Sequence, residues 1–73
     1  MSQNELEHLI QMTNQIVANN SYFGNEEQTA TVTASHLKKF WARSMKQQII
    51  DYAQNDGEQL SPAARMAVEQ LAQ

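Results

Sequence analysis

The chain has 73 residues and no cysteine, so it can form neither a disulfide nor a thiolate metal site. A chain of this length buries only about 60% of its unfolded surface, which makes association with another chain a natural source of stability. Its formal net charge is -3, yet four of its five basic residues form a basic belt between positions 38 and 46: Lys38, Lys39, Arg43 and Lys46. This uneven charge argues against a general nucleic-acid-binding protein.

The first predicted element is an amphipathic helix over residues 3–19. Its apolar stripe follows the helical period and comprises Leu6, Leu9, Ile10, Thr13, Ile16 and Val17. Ser2 and Glu5 have the spacing of a capping box, which predicts the start of the helix. The segment NNSYFGN then ends it, and we expect Tyr22 and Phe23 in this segment to fold back onto the core.

A second helix is predicted over residues 26–41. The run TATVTA alone favours a strand, because it is rich in β-branched residues. The longer window favours a helix, with a stripe formed by Ala30, Thr33, Ala34, Leu37, Phe40 and Trp41. Asn25 and Gln28 provide a capping box at its start.

Two further helices complete the prediction. A third helix over residues 45–55 has Ser44 and Gln47 at capping-box spacing and Gly57 as its stop. A fourth helix begins at Ser61 and Pro62, a good N-cap followed by a residue tolerated in the first turn. The sequence therefore predicts an all-α protein, a single helical domain over residues 1–73 made of about four short helices.

The sequence contains no recognisable catalytic constellation. It has no glycine-rich phosphate loop, no HExxH pair and no nucleophile elbow. Its paired glutamates lie at predicted helix starts, where the helix dipole explains them. His8 and His36 have no second ligand at metal-binding spacing. We therefore expect a protein that is not an enzyme, with no catalytic residues, no metal site and no cofactor of its own.

The chain also lacks the marks of export or membrane insertion. No apolar run approaches the roughly 18 residues of a membrane span. The segment MSQNELEH does not have the basic and then apolar order of a signal peptide. Together with the absence of cysteine, these features predict a cytoplasmic protein whose partner is not a membrane.

Six residues are candidate partner contacts. Four surround the predicted turn between the second and third helices, and two lie on the first helix: His36, Trp41, Arg43, Lys46, Asn14 and Gln15. Arg43 is singled out within the belt because a guanidinium suits bidentate contact with carboxylate or phosphate. For the belt as a whole, an acidic protein surface, a phosphate-bearing cofactor, RNA and plain solvation remain open.

Each of these candidates also has an ordinary structural interpretation. Phe40 is expected to fill the core, whereas Trp41 at a helix end could be either buried or half exposed. His36 lies beside the apolar stripe, as either a partner contact or an exposed histidine. For Asn14 we prefer a hydrogen bond to a loop carbonyl, because most side-chain hydrogen bonds go to backbone or water. Lys38 and Lys39 suit the negative end of the helix dipole.

Three segments of the chain together resemble a known family. They are LIQMTNQI at 9–16, HLKKFWARSMKQQI at 36–49 and GEQLSPAARMAVEQL at 57–71. The chain is similar through them to the delta subunits of NAD-dependent, molybdenum-containing formate dehydrogenases. It departs from the family pattern at three positions, with Thr13 in place of Ala, Arg43 in place of Pro, and Asp56 in place of the first of two glycines.

The resemblance implies an accessory subunit without a redox centre. Such a subunit is expected to bind the large catalytic (alpha) subunit, beside the diaphorase subunits, and to support assembly, cofactor insertion or stability. An indirect role with the bis-molybdopterin guanine dinucleotide of the catalytic subunit is also implied. A permanent subunit and a transient assembly chaperone remain open. The alternative is a small stand-alone helical module that binds nucleic acid or protein.

Overall fold

The computed structural model describes residues 4–21 and 24–73, which form four α-helices. These are α1 (Glu5–Asn20), α2 (Glu26–Phe40), α3 (Arg43–Asn55) and α4 (Pro62–Leu71). The described residues contain no strand, so the all-α prediction is confirmed and TATVTA is helical. The expectation that Tyr22 and Phe23 return to the core lies outside the described residues.

Two helix starts are capped as the sequence predicts. At α2 the Asn25 side chain accepts from the Gln28 N–H at 2.8 Å, and the Gln28 side chain accepts from the Asn25 N–H at 3.0 Å. At α4 the Ser61 hydroxyl accepts from the Ala64 N–H, with Pro62 in the first turn. These bonds, reciprocal at α2 and single at α4, satisfy amides at the helix starts, and so fix where each helix begins.

The other two helix starts differ from the prediction. At α1 the N-cap is Asn4, whose side chain accepts from the Glu7 N–H at 2.8 Å, so the helix begins after the predicted position 3; the predicted cap Ser2 lies outside the described residues. At α3 the N-cap is Ala42, which makes no side-chain capping bond. Ser44, predicted to be the cap, lies inside the helix because α3 already begins at Arg43.

All four helices contribute to a common core. α2 and α4 share the most extensive contact, and small residues on both helices allow their backbones to approach closely: Ala30, Ala34 and Ala67. The larger cluster consists of Leu9, Ile10, Val17, Leu37, Trp41, Ile49, Leu60, Ala64 and Val68. Each buried Leu, Ile or Val contributes about 1.5–3 kcal/mol relative to an exposed one.

Phe40 and Trp41 differ sharply in burial, and the prediction for Phe40 is wrong. Phe40 was expected in the core but is 71% exposed, whereas Trp41 is only 6% exposed. Phe40 is the last residue of α2, whereas the buried residues of that helix end one turn earlier, at Leu37. Trp41 has already left the helix, with φ -90° and ψ 142°, and its side chain packs in the core.

Candidate partner-binding surface

The α2–α3 turn is short and is anchored by Trp41. Only Trp41 and Ala42 separate the two helices. The Trp41 N–H donates to the Leu37 carbonyl at 3.0 Å, and the Lys46 N–H donates to the Ala42 carbonyl at 3.1 Å. Because the Trp41 side chain is buried, it holds the corner to the core and offers little surface to a partner in this conformation.

Lys46 stabilises the α2–α3 turn through a hydrogen bond to the end of α2. It is half-buried, and its ammonium donates to the Lys38 carbonyl in the last turn of α2, at 3.3 Å. A cation at this end of a helix satisfies a free carbonyl and complements the negative pole of the helix dipole. Lys46 therefore has an internal role that the sequence did not indicate, while its contact with a partner stays a prediction.

The outer side of the turn is apolar and basic. His36, Lys39, Phe40 and Arg43 are all exposed. The rings of His36 and Phe40 pack against each other, with centroids 4.9 Å apart and planes tilted by 45°. Val32, one helical turn before His36, is 48% exposed. We call Val32, His36 and Phe40 the α2 stripe. Of the six predicted contacts, His36 and Arg43 are thus accessible at this corner.

Asn14 on α1 is used within the chain. Its amide donates to the Gln59 carbonyl at 2.9 Å, and its carbonyl oxygen accepts from the Ser61 N–H at 3.0 Å. The preferred interpretation, a bond to a loop carbonyl, is therefore confirmed. Gln15 is exposed, and its amide donates to the Asn19 side chain one turn later, at 3.2 Å. The partner contacts predicted for both residues stay predictions.

The α3–α4 loop, residues 56–61, is fixed by several further hydrogen bonds. The Tyr52 hydroxyl accepts from the Gln59 N–H at 2.9 Å, and the Arg65 guanidinium donates to the Gly57 carbonyl at 2.6 Å. Gly57 has φ 65°, a conformation that favours glycine, and it follows the end of α3 as predicted. The bonds made by Tyr52 and Arg65 could not be read from the sequence, because they join residues whose distance depends on how the loop packs against α3 and α4.

The structure accounts for two of the departures from the family pattern. Asp56 has φ -127°, so glycine is not needed there, and Gly57 alone adopts the left-handed conformation. Arg43 is the first residue of α3, a position where proline is favoured because its missing N–H would have no partner in the helix. Both substitutions are therefore compatible with the same backbone.

Other kinds of site are not formed by the residues that the structure describes. Among them, no group of three or more His, Cys, Asp or Glu side chains is placed to hold a metal ion. No described helix is both long and apolar enough to cross a membrane. A groove of about 460 Å³ lies between the end of α1 and the first half of α2, and among the described residues that line it Glu27 is the ionisable one.

A comparison with protein families identifies the family of this chain. The family model described as NADH-dependent formate dehydrogenase delta subunit FdsD matches residues 8–68. This range includes the α2–α3 turn, the α3–α4 loop and all six predicted contact residues. No curated protein and no solved structure matches the chain. Since the family match covers most of the 73 residues, the chain belongs to the delta subunit family of NADH-dependent formate dehydrogenases.

Proposed function

We propose that this chain is a non-catalytic accessory subunit that binds the large molybdenum-bearing catalytic subunit of a formate dehydrogenase. The observation that carries the proposal is the family match over residues 8–68. The diaphorase subunits are its further partners within the same complex. Its part is to support assembly, cofactor insertion or stability of the catalytic subunit.

The surface of the chain supports a role in binding. Phe40 is 71% exposed and lies beside exposed cations, which is the composition of an interface anchor and its polar rim. A short chain with a small core also gains stability when a partner covers such a surface. These two features favour a partner protein over a small-molecule substrate.

Support of assembly follows from binding alone. A subunit that binds only the folded form of its partner stabilises that form by mass action, by about 2.7 kcal/mol at a concentration one hundred times the dissociation constant. No redox group on this chain is needed for that effect. Any influence on the bis-molybdopterin guanine dinucleotide would be indirect, through the population of catalytic subunit that is competent to receive or retain it.

Purification of the complex through a tag on the catalytic subunit tests this function. We expect the chain in a fixed ratio to the catalytic subunit by native mass measurement. We also expect less molybdenum per catalytic subunit when the gene for this chain is deleted. A fixed ratio in the active complex indicates a permanent subunit. Absence from that complex with a lower molybdenum content after deletion indicates a transient chaperone, and absence without such a change contradicts the proposal.

A further inference from the structure

The α2 stripe is the exposed apolar feature of the part of the chain that the structure describes. Val32 and Phe40 are the large hydrophobic residues exposed there, at 48% and 71%. They are eight residues apart, with His36 midway between them, so all three lie on one side of α2. A row of anchors at this spacing is how a helix presents itself to an apolar groove in a partner protein.

The stripe is partly ordered before binding. His36 and Phe40 contact each other through their rings, at a centroid distance of 4.9 Å, and both belong to the regular helix. A side chain held by its neighbour loses less rotamer freedom when it enters a pocket, which lowers the entropic cost of association. Phe40 therefore has the features of a hot-spot residue, namely an aromatic ring, exposure and limited freedom.

Charge distinguishes the two sides of α2 near its end. Lys39 follows His36 by three residues and lies on the side of the stripe, whereas Lys38 follows it by two and lies about 200° around the helix. Arg43 comes next, exposed at the first turn of α3. The sequence from 38 to 46 contains no acidic residue, so these exposed cations have no carboxylate among their chain neighbours.

We propose that the α2 stripe with Lys39 and Arg43 docks on the catalytic subunit, into an apolar groove bordered by carboxylates. This inference rests on the proposed function and adds to it the face and the chemistry of the partner surface. Complementary charge selects such a partner. A symmetric pairing of two copies through this face would bring each Lys39 and Arg43 towards their own counterparts, and like charges oppose that arrangement.

A competition for incorporation tests this face within the whole complex. Wild-type and variant chains, distinguished by mass, are expressed together at equal levels with the tagged catalytic subunit, and their ratio in the purified complex is measured. We expect Phe40→Ala to be depleted at least about tenfold, as for a hot-spot residue. Its thermal midpoint should equal that of the wild type, because the ring is mostly exposed.

A matched pair of charge reversals keeps the test independent of the aromatic ring. Lys39→Glu and Lys38→Glu make the same change at adjacent exposed positions of α2. We expect Lys39→Glu to be depleted several-fold more than Lys38→Glu, since only Lys39 lies beside the stripe. Equal incorporation of Phe40→Ala and wild type, or equal depletion of the two lysine variants, would overturn the inference.

The same preparations separate this inference from the proposed function. If the wild-type chain is absent from the complex and its deletion leaves the molybdenum content unchanged, the function itself fails. If the wild type is present but the variants compete equally, only the assigned face is wrong. Salt-sensitive binding of a random oligonucleotide through Phe40 and Lys39 would indicate a nucleic-acid surface. Association of the isolated chain that Phe40→Ala abolishes would indicate pairing of two copies. Either result would overturn the inference.

Discussion

The two connections that flank α3 use their polar residues in opposite ways. The α3–α4 loop is held by side chains from three helices: Asn14 of α1, Tyr52 of α3 and Arg65 of α4. The α2–α3 turn is held by one buried ring, Trp41, and by the ammonium of Lys46. Its remaining polar side chains face solvent.

The polar side chains of the α3–α4 loop stabilise the fold through hydrogen bonds within the chain, whereas the exposed ones of the α2–α3 turn are available to a partner. Removal of a side chain that donates and accepts within the chain lowers the stability of the protein, because its backbone partners lose their hydrogen bonds. An exposed one, such as Arg43, can be changed at little cost to folding. The first kind explains the α3–α4 loop, and the second kind makes the α2–α3 turn the better candidate surface.

Replacement of Asn14 should give the largest loss of stability. Asn14→Ala removes two hydrogen bonds and leaves the Gln59 carbonyl and the Ser61 N–H without their partner. We expect a loss of about 2 kcal/mol, which is about 10 °C in the thermal midpoint of a chain this short. The control is Gln15→Ala, which loses one exposed bond and should change stability by less than about 0.5 kcal/mol. Equal losses in the two variants would show that the two hydrogen bonds of Asn14 do not contribute specifically to stability.

Gly57 should be the next most sensitive position of the same loop. Gly57→Ala places a Cβ 3.1 Å from the Ala53 carbonyl oxygen in a residue with φ 65°. We expect a loss of about 1–2 kcal/mol, the cost of left-handed backbone in a residue with a side chain. Its neighbour is the control, because Asp56 has a negative φ, so Asp56→Gly should bring no gain. A gain from Asp56→Gly in urea unfolding would contradict this account of the loop.

The elements that were correctly predicted are those whose signals are local. The capping box of α2, the Ser61–Pro62 start of α4 and the glycine stop act within a few residues, so the starts of α2 and α4 and the end of α3 could be derived from the sequence. The start of α3 was misplaced because Ser44 and Gln47 imitate a cap two residues too late. A local pattern also could not show that the backbone leaves the helix at Trp41, which decides that Trp41 is buried and Phe40 is not.

The candidate site was predictable only in part. The basic belt lies at the α2–α3 turn, where His36 and Arg43 are exposed as a contact requires, and their contact with a partner stays a prediction. The internal bonds of Lys46 and Asn14 depend on residues 8 and 45 or more positions away. Phe40 was assigned to the core because its position continues the apolar period. The sequence did not show that α2 ends at Phe40, where the apolar period of the helix no longer decides which side chain is buried.

A better cap should stabilise the α2–α3 turn without altering its surface. Ala42 is the N-cap of α3 with φ -66° and ψ 156°, and it has no side-chain bond to offer. Ala42→Ser supplies a hydroxyl that can accept from the first free amides, and we expect a gain of about 1 kcal/mol. Ala42→Val, which adds bulk without an acceptor, is the control and should bring no gain. Equal midpoints for Ala42→Ser and wild type in urea would contradict the capping argument.

The smallest expected effect is that of Arg43→Pro, which tests whether the turn tolerates the residue typical of the family. Ala42 has the extended backbone that proline requires before it, and the first N–H of α3 has no partner within the helix. We expect a gain of about 0.5 kcal/mol, because proline restricts the unfolded chain. Arg43→Ala removes the same side chain without the ring, so it measures the guanidinium alone. Higher stability with proline than with alanine would assign the gain to the backbone. A loss of stability in both variants would instead show that the Arg43 side chain stabilises the turn itself.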